Sequence, residues 1–257
     1  MQSTLSESTK QQIALICLAA QLILENGGET YRVEETALRM AKGFGLKNVN
    51  IAAFPTSIFV EVDGHMRVTR INRRGTNTTR LERTNSVSRS VERGEMTAQQ
   101  AQAELEAIAA LPGLPLWVQI AASGLTAASF SLLFGGRLSA FVVSFLIGML
   151  VQLVQPLFSN MEMGALFGSF AGGAITALLA QASSPLLPAG SVNAVIAGGI
   201  MPLLTGLLMT TAMRDTMYGD LVSGVTRAAE ALLLAASVAL GVYVGLEIAA
   251  MMGGMLL

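Results

Sequence analysis

The sequence predicts a membrane protein in which a small α+β cytoplasmic domain, residues 1–115, precedes an all-α bundle of about five transmembrane helices, residues 116–257. Two observations predict this fold class. Of the 33 charged residues, 25 precede Leu116 and only eight follow. The chain is also 52% hydrophobic and only 13% charged, whereas soluble domains usually have about 25% charged residues. The charged first part therefore suits water, and the apolar remainder suits lipid.

Two amphipathic helices begin the cytoplasmic domain. The first is predicted to end at about Asn26, because apolar residues recur at helical spacing up to that point and Gly27-Gly28 follows. The second is predicted from about Thr30 to Lys42 by the same periodicity. The domain therefore begins with a helical pair.

The hydrophobic period changes from helical to alternating after residue 48. Three short runs with an apolar residue at every second position predict strands, and Asp63-Gly64 between the last two is typical of a hairpin turn. Two further helices are predicted at about Thr79–Glu92 and Ala98–Ala110. The predicted order of elements in the domain is therefore ααβββαα.

The cytoplasmic domain offers little for catalysis. It has no GxxxxGK[ST] phosphate loop, which argues against ATP-driven transport by this chain. One cysteine, Cys17, and one histidine, His65, are too few for a zinc site or a nucleophile triad. The net charge of −1 provides no basic surface for nucleic acid. We therefore expect no enzyme activity, no cofactor or metal, and no nucleic-acid partner.

Five later segments are apolar and close to the length of about 20 residues that a helix needs to cross the bilayer. They are residues 116–134, 138–155, 163–181, 191–213 and 229–251. Basic residues predict their orientation: Arg214 and Arg227, between the last two segments, should face the cytoplasm, and Arg137 should face outward. The sequence thus predicts a multi-pass protein of the inner (plasma) membrane with a cytoplasmic N-terminal domain.

Small and polar residues within the predicted spans suggest how the helices pack. Glycines at GxxxG spacing favour close approach of helices in lipid. In the second span, Ser144, Gly148, Gln152 and Gln155 share one helix face. Such a polar stripe either bonds to a neighbouring helix or lines an aqueous path, and the sequence leaves both open.

The fourth span contains Pro202 and Gly206. Proline removes a backbone hydrogen bond, and glycine weakens the helix around it. The segment is therefore either a simply kinked helix or a broken one. Transporters use broken helices to present backbone dipoles to a substrate.

The most informative stretch lies between the last two spans. It contains Arg214, Asp215, Asp220, Arg227 and Glu230 in otherwise apolar sequence. Ionisable residues at membrane depth are costly and indicate function, whereas a charged loop at the membrane interface needs none. These five residues, together with the helix break, are the candidate substrate and transport residues.

Three stretches resemble the threonine/serine exporter family. Residues 27–36, with the sequence Gly-Gly-Glu-Thr-Tyr-Arg-Val-Glu-Glu-Thr, are similar to the start of its N-terminal domain, and residues 85–95 and 214–231 are similar to later motifs. The resemblance implies a cytoplasmic domain, about five spans, and export of threonine and serine, or of succinate in a split system. It also implies a second small membrane subunit or a homo-oligomer.

The charge balance favours an amino acid as the small-molecule substrate. From Leu116 onward there are three Arg and five acidic residues, which suits a zwitterion better than a dicarboxylate. Arg214 or Arg227 would hold the carboxylate. Asp215, Asp220 or Glu230 would hold the ammonium group or carry a coupling proton. The prediction is secondary export by alternating access; the alternatives are a dicarboxylate (succinate) exporter subunit and a membrane-anchored sensor or scaffold.

Overall fold

The computed structural model describes residues 6–72, 74–158 and 164–254. Most of these residues are helical, and one small antiparallel sheet lies near the N-terminus. The chain divides into two compact units, and each unit combines two separate stretches of sequence. The first consists of Met1–Gly113 and Thr210–Ala228, and the second of Leu114–Met209 and Ala229–Leu257.

The N-terminal part of the first unit has the predicted element order, ααβββαα. Its elements are α1 (Glu7–Glu25), α2 (Thr30–Gly43), β1 (Val49–Phe54), β2 (Ser57–Val62), β3 (His65–Arg70), α3 (Thr78–Glu92) and α4 (Ala98–Ala110). The strands form an antiparallel sheet of order β1-β2-β3. At the β2–β3 turn, Asp63 and Gly64 both have positive φ, as a two-residue hairpin loop requires.

The core of this domain lies between the sheet and the helices. In the central strand β2, every second residue is buried, because alternate side chains point toward the helical side of the sheet, where β2 contacts α1. Burying large aliphatic side chains contributes roughly 1.5–3 kcal/mol each, which supplies the driving force for a domain of this size. The largest fully buried side chains of this core include Ile16, Ile23, Leu24, Val33, Met40, Ile58, Val60 and Leu105.

The remaining helices include the candidate membrane spans. They are α5 (Leu116–Leu133), α6 (Leu138–Phe158), α7 (Gly164–Ala182), α8 (Ser191–Ile200), α9 (Gly206–Met217) and α10 (Leu221–Gly254). Four of them, α5, α6, α7 and α10, are each long and apolar enough to cross a membrane, and α8 with α9 gives a fifth candidate. The predicted start of the third span, Met163, lies outside the described residues.

The fourth predicted span is broken rather than simply kinked. A 3₁₀ turn over Met201–Leu203 contains Pro202, Leu204 has extended backbone, and the next helix begins at Gly206. The two helical parts are bent by 54°. Pro202 cannot donate the backbone hydrogen bond that would continue α8, which accounts for the interruption at this point.

The ends of α6 and α9 and the start of α10 differ most from the prediction. Helix α6 continues past residue 155 to Phe158, because Pro156 removes only one backbone bond in its last turn. Helix α9 continues past residue 213 to Met217. Helix α10 begins at Leu221 rather than at residue 229, so the polar stretch from residue 214 is mostly helical and only a short turn, residues 218–220, is not. The predicted fourth span ended before Arg214, and the predicted fifth began after Arg227, because both residues are charged. The buried Arg227 remains helical because an acidic partner satisfies it, as described below.

Glycines bring the helices of the second unit into close contact. A Cβ atom at Gly241 of α10 would lie 2.0 Å from the carbonyl oxygen of Phe170 in α7, and one at Gly245 would lie 2.5 Å from that of Ala174. A Cβ atom at Gly198 of α8 would similarly meet α5. These glycines therefore allow the close helix packing that the GxxxG spacing predicts in lipid.

The polar stripe of α6 contacts α5. Gln152 Nε2 donates to Gln119 Oε1 at 3.4 Å, and Ser123 Oγ donates to the Gly148 carbonyl oxygen at 2.9 Å. Of the two alternatives for this stripe, these bonds favour helix packing. Large apolar side chains elsewhere on α5 and α6 are exposed, as expected of surfaces that face lipid: Leu125, Leu132, Leu133, Val142, Leu146, Leu150, Leu153 and Leu157.

Candidate functional site

Two turns that are distant in sequence meet within the first unit. One is the α1–α2 turn, residues 26–31, and the other is the α9–α10 turn, residues 218–220, with the helix ends on either side of it. The contact brings three acidic residues, two arginines and a threonine together. We call this set the charge cluster; it consists of Glu29, Thr30, Arg214, Asp215, Asp220 and Arg227.

The centre of the cluster is a buried ion pair. Arg227 Nε lies 3.0 Å from Asp215 Oδ2, and the two side chains are only 3% and 0% exposed. Arg227 also donates from Nη2 to the Gly28 carbonyl oxygen at 2.9 Å. The guanidinium thereby links α10 to α9 and to the α1–α2 turn, and a planar fork of donors is well suited to such a junction.

Thr30 holds two of the acidic residues. Its backbone N–H donates to Asp215 Oδ1 at 3.0 Å, and its hydroxyl donates to Asp220 Oδ2 at 2.9 Å. Thr30 is the first residue of α2, whose own N-cap, Glu29, makes no side-chain capping bond. Asp215 therefore supplies from α9 the carboxylate that a helix N-terminus favours.

The carboxylate of Glu29 lies between two arginines. Arg214 Nη1 donates to Glu29 Oε1 at 2.7 Å, and Arg32 Nη1 lies 3.5 Å from Oε2. Burial by itself would raise the pKa of Glu29. The hydrogen bond from Arg214 and the positive charges of both arginines outweigh burial, and the pKa is lowered below its ordinary value of 4.5. Glu29 is therefore ionised at neutral pH.

Aromatic and acidic neighbours surround this charged contact. The rings of Tyr31 and Tyr218 stack with centroids 3.9 Å apart and planes 11° from parallel. Burial and the negative charge of Glu29 raise the pKa of the Tyr31 hydroxyl. Glu34 accepts from the Ala53 backbone N–H at 2.9 Å, and burial, with a further contribution from the charge of Asp220, raises its pKa. The cluster thus contains closely spaced charges of both signs.

The cluster unites four of the seven residues predicted from the sequence. Arg214, Asp215, Asp220 and Arg227 lie in it together. Pro202 and Gly206 lie at the helix break, and Glu230 is a half-buried residue of α10, three positions after Arg227. The accessible charges are Arg214, whose side chain is 55% exposed, and the half-buried Asp220.

Sequence reasoning missed the residues that the N-terminal domain contributes. Gly28, Glu29, Thr30 and Tyr31 all contact the α9–α10 region, although nearly 200 positions separate them from it. One signal was available, since residues 27–36 and 214–231 are two of the stretches that resemble the same family. The structure places these two stretches in contact.

The chemistry available to the cluster is recognition of charge. Among the described residues, no group of three or more His, Cys, Asp or Glu side chains could hold a metal ion. Arginine donors suit carboxylates, and carboxylates suit ammonium groups. The cluster can therefore hold a small molecule that carries such charges.

A family model and two relatives match most of this chain. A family model described as "Putative threonine/serine exporter" matches residues 14–249. A relative from Mycobacterium tuberculosis, named "Probable threonine/serine exporter", is 23% identical over 246 residues, which are 93% of this chain and 46% of that protein. A relative from Klebsiella aerogenes, named "Probable succinate transporter subunit YjjP", is 26% identical over 250 residues, which are 93% of this chain and 95% of that protein. The chain thus spans about half the length of the first relative. No solved structure matches it.

Proposed function

Because the chain belongs to the threonine/serine exporter family of multi-pass membrane proteins, we propose that it exports small hydrophilic amino acids of the threonine/serine type by a secondary, alternating-access mechanism. The observation that carries this proposal is the charge cluster, which offers a partly exposed cation and a partly exposed anion. A zwitterionic amino acid has a group for each of them.

The roles of the cluster residues follow from their exposure. Asp215 and Arg227 are buried and neutralise each other, so their role is to fix the two turns. Arg214 retains donors on an exposed guanidinium and would hold the substrate carboxylate. Asp220 receives a bond from the Thr30 hydroxyl and would hold the substrate ammonium group. Glu230 is the candidate carrier of a coupling proton.

In the proposed mechanism, the helix break is the segment that changes conformation during transport. Transporters commonly place interrupted helices at the substrate path, where helix ends present partial charges. The break at Pro202 and Gly206 lies on the chain just before the helix that carries Arg214 and Asp215. We expect the N-terminal domain to be cytoplasmic, since Arg214 and Arg227 follow the positive-inside rule. The substrate would accordingly load from the cytoplasm.

We further propose that the working transporter contains a second small membrane subunit or a second copy of this chain. The Mycobacterium relative is about twice as long as the matched region, and the Klebsiella relative is named a subunit. A chain of this length would then supply the N-terminal domain and about half of the helices.

A dicarboxylate exporter subunit is the second candidate function. The observation that favours it is length, since the Klebsiella relative, named a succinate transporter subunit, matches this chain over 95% of its own length. The cluster favours an amino acid, because each of its two arginines already contacts a carboxylate. Measurement of both substrates distinguishes the candidates.

The test is an efflux assay in cells that lack their own amino-acid exporters. The chain is expressed with and without a small membrane protein encoded beside it, the cells are loaded with a threonine-containing dipeptide, and external threonine, serine and succinate are followed. We expect faster threonine and serine efflux, which Asp220→Asn abolishes and the hairpin control Asp63→Asn leaves intact.

The other results of this assay each have a defined meaning. Succinate efflux alone would replace the amino-acid assignment with the dicarboxylate one. Failure of all three solutes to leave the cell, with the protein inserted and the partner present, would refute both and favour a membrane-anchored sensor or scaffold.

A further inference from the structure

The contact between Glu29 and its two arginines is a carboxylate-binding clamp that already has an occupant. Arg214 approaches one oxygen of the Glu29 carboxylate and Arg32 approaches the other. Their side chains are 55% and 38% exposed, so both guanidinium groups reach the surface, whereas Glu29 is only 5% exposed. Two arginines on one carboxylate form the arrangement that proteins use to hold dicarboxylate and phosphate ligands. Here the chain's own Glu29 occupies it.

We propose that Glu29 determines the substrate class of this transporter: its carboxylate pairs with Arg214 and Arg32, and thereby excludes dicarboxylates and admits zwitterions. This inference rests on the function proposed above and adds a residue of the N-terminal domain to its site. It also assigns that domain a direct role in selectivity.

The charge count of the cluster supports this role. With Arg32 included, three carboxylates face three arginines, so a dianion would bring two negative charges to a site without surplus cation. Like charges brought together at a binding site are strongly unfavourable. An amino acid brings one charge of each sign and keeps the balance. Loss of the Glu29 charge would leave one surplus positive charge, shared by Arg32 and Arg214.

The geometry keeps Glu29 in place as a permanent anion. It is the N-cap residue of α2, directly before Thr30, which is fixed by Asp215 and Asp220. The backbone at Glu29 is therefore held while the two turns remain in contact, which keeps its carboxylate within reach of both arginines. Its lowered pKa is consistent with this, since the arginines favour the ionised form.

The test compares two substitutions that separate charge from shape. Glu29→Gln keeps the shape and an oxygen acceptor for Arg214 but removes the charge, whereas Glu29→Asp keeps the charge and shortens the side chain. The control is Glu35→Gln, on the exposed face of the same helix, where the carboxylate pairs with Arg39. Efflux of threonine and of succinate is measured over a range of internal concentrations, with membrane insertion checked for each variant.

We expect Glu29→Gln to lower the KM for succinate roughly tenfold and to shift the ratio of succinate to threonine efflux accordingly. Glu29→Asp and Glu35→Gln should keep the wild-type ratio. If Glu29→Gln fails to insert, Glu29→Ser also removes the charge and provides a favourable N-cap for α2. The double variant Glu29→Gln/Arg32→Gln restores the charge balance and should return the ratio toward wild type.

Two results would overturn the inference alone. The first is an unchanged ratio in inserted Glu29→Gln and Glu29→Ser variants. The second is an equal shift in Glu29→Asp, since that would indicate a role for shape alone. A wild-type protein that prefers succinate, or that exports neither solute, would instead refute the proposed function and the inference with it, so the two kinds of failure are distinguishable.

Discussion

Replacing Arg227 by methionine tests whether the buried ion pair holds the first unit together. Arg227→Met keeps the length and apolar stem of the side chain but removes the partner of Asp215 and the donor to the Gly28 carbonyl oxygen. Asp215 would then be a buried carboxylate with the Thr30 N–H as its described hydrogen-bond donor. Removing one member of a buried pair typically costs 3–5 kcal/mol, and we expect about 3 kcal/mol because Thr30 still stabilises the charge.

The chain carries its own probe for this measurement. Cys17 is its single cysteine, it is 3% exposed in the core of the N-terminal domain, and burial raises the pKa of its thiol. A thiol-reactive dye therefore labels it only when the domain opens. The labelling midpoint is the temperature at which half of the protein has reacted with the dye. For a unit of roughly 130 residues, a loss of 3 kcal/mol should lower this midpoint by about 10 °C.

The matched control is Arg93→Met, which removes a half-exposed arginine that pairs with Glu95 at the surface. Exposed pairs contribute little to stability, so its midpoint should stay within about 2 °C of wild type. The double variant Asp215→Asn/Arg227→Met should regain part of the loss, because the amide is neutral and still accepts from Thr30. Equal midpoints for Arg227→Met and Arg93→Met would refute the reasoning.

Three further predictions use the same protein. Gly43→Ala would place a Cβ 2.5 Å from a backbone carbonyl oxygen of α3, so the Cys17 labelling midpoint should fall by about 5 °C. The control Gly75→Ala adds a methyl group where there is open space and should leave the midpoint unchanged. Equal shifts in the two variants would contradict the packing of α2 against α3. Gly241→Ala would place a Cβ 2.0 Å from a carbonyl oxygen of α7 and should lower the aggregation temperature in detergent by about 5 °C; a value within 1 °C of wild type would argue against this contact. Glu29 has a lowered pKa, so its stabilisation should be complete above pH 4.5 and should be lost as the pH falls through the lowered pKa. Thermal melts of wild type and Glu29→Gln should therefore converge as the pH is lowered below 4.5, and a constant difference would contradict the ion pair.

Much of the local structure could be predicted from the sequence because local rules govern it. The period of the apolar residues distinguishes α2 from β2, and Asp63-Gly64 specifies the hairpin without tertiary information. Backbone chemistry also locates an interruption of the fourth span at Pro202, although it leaves open whether the helix is kinked or broken. In each case the cause lies within a few residues of its effect.

The assembly of the charge cluster could not be predicted in the same way. Nothing near Glu29 or Thr30 indicates that their partners lie some 185 positions later. The start of α10 was misplaced for a related reason. Arg227 is a charge that interrupts an apolar segment, and only its pairing with Asp215, which tertiary structure provides, allows it to remain in a buried helix.

The first unit is discontinuous in sequence, and this has a consequence for its biosynthesis. Residues up to Gly113 leave the ribosome roughly 100 residues before Thr210–Ala228, which complete the unit. At about 5–20 residues per second, the interval is on the order of 5–20 seconds. During that time the nascent N-terminal domain lacks the Asp215 carboxylate at the start of α2, while the intervening helices must be inserted. The first unit can therefore be completed only after the helices between its two stretches have been synthesised.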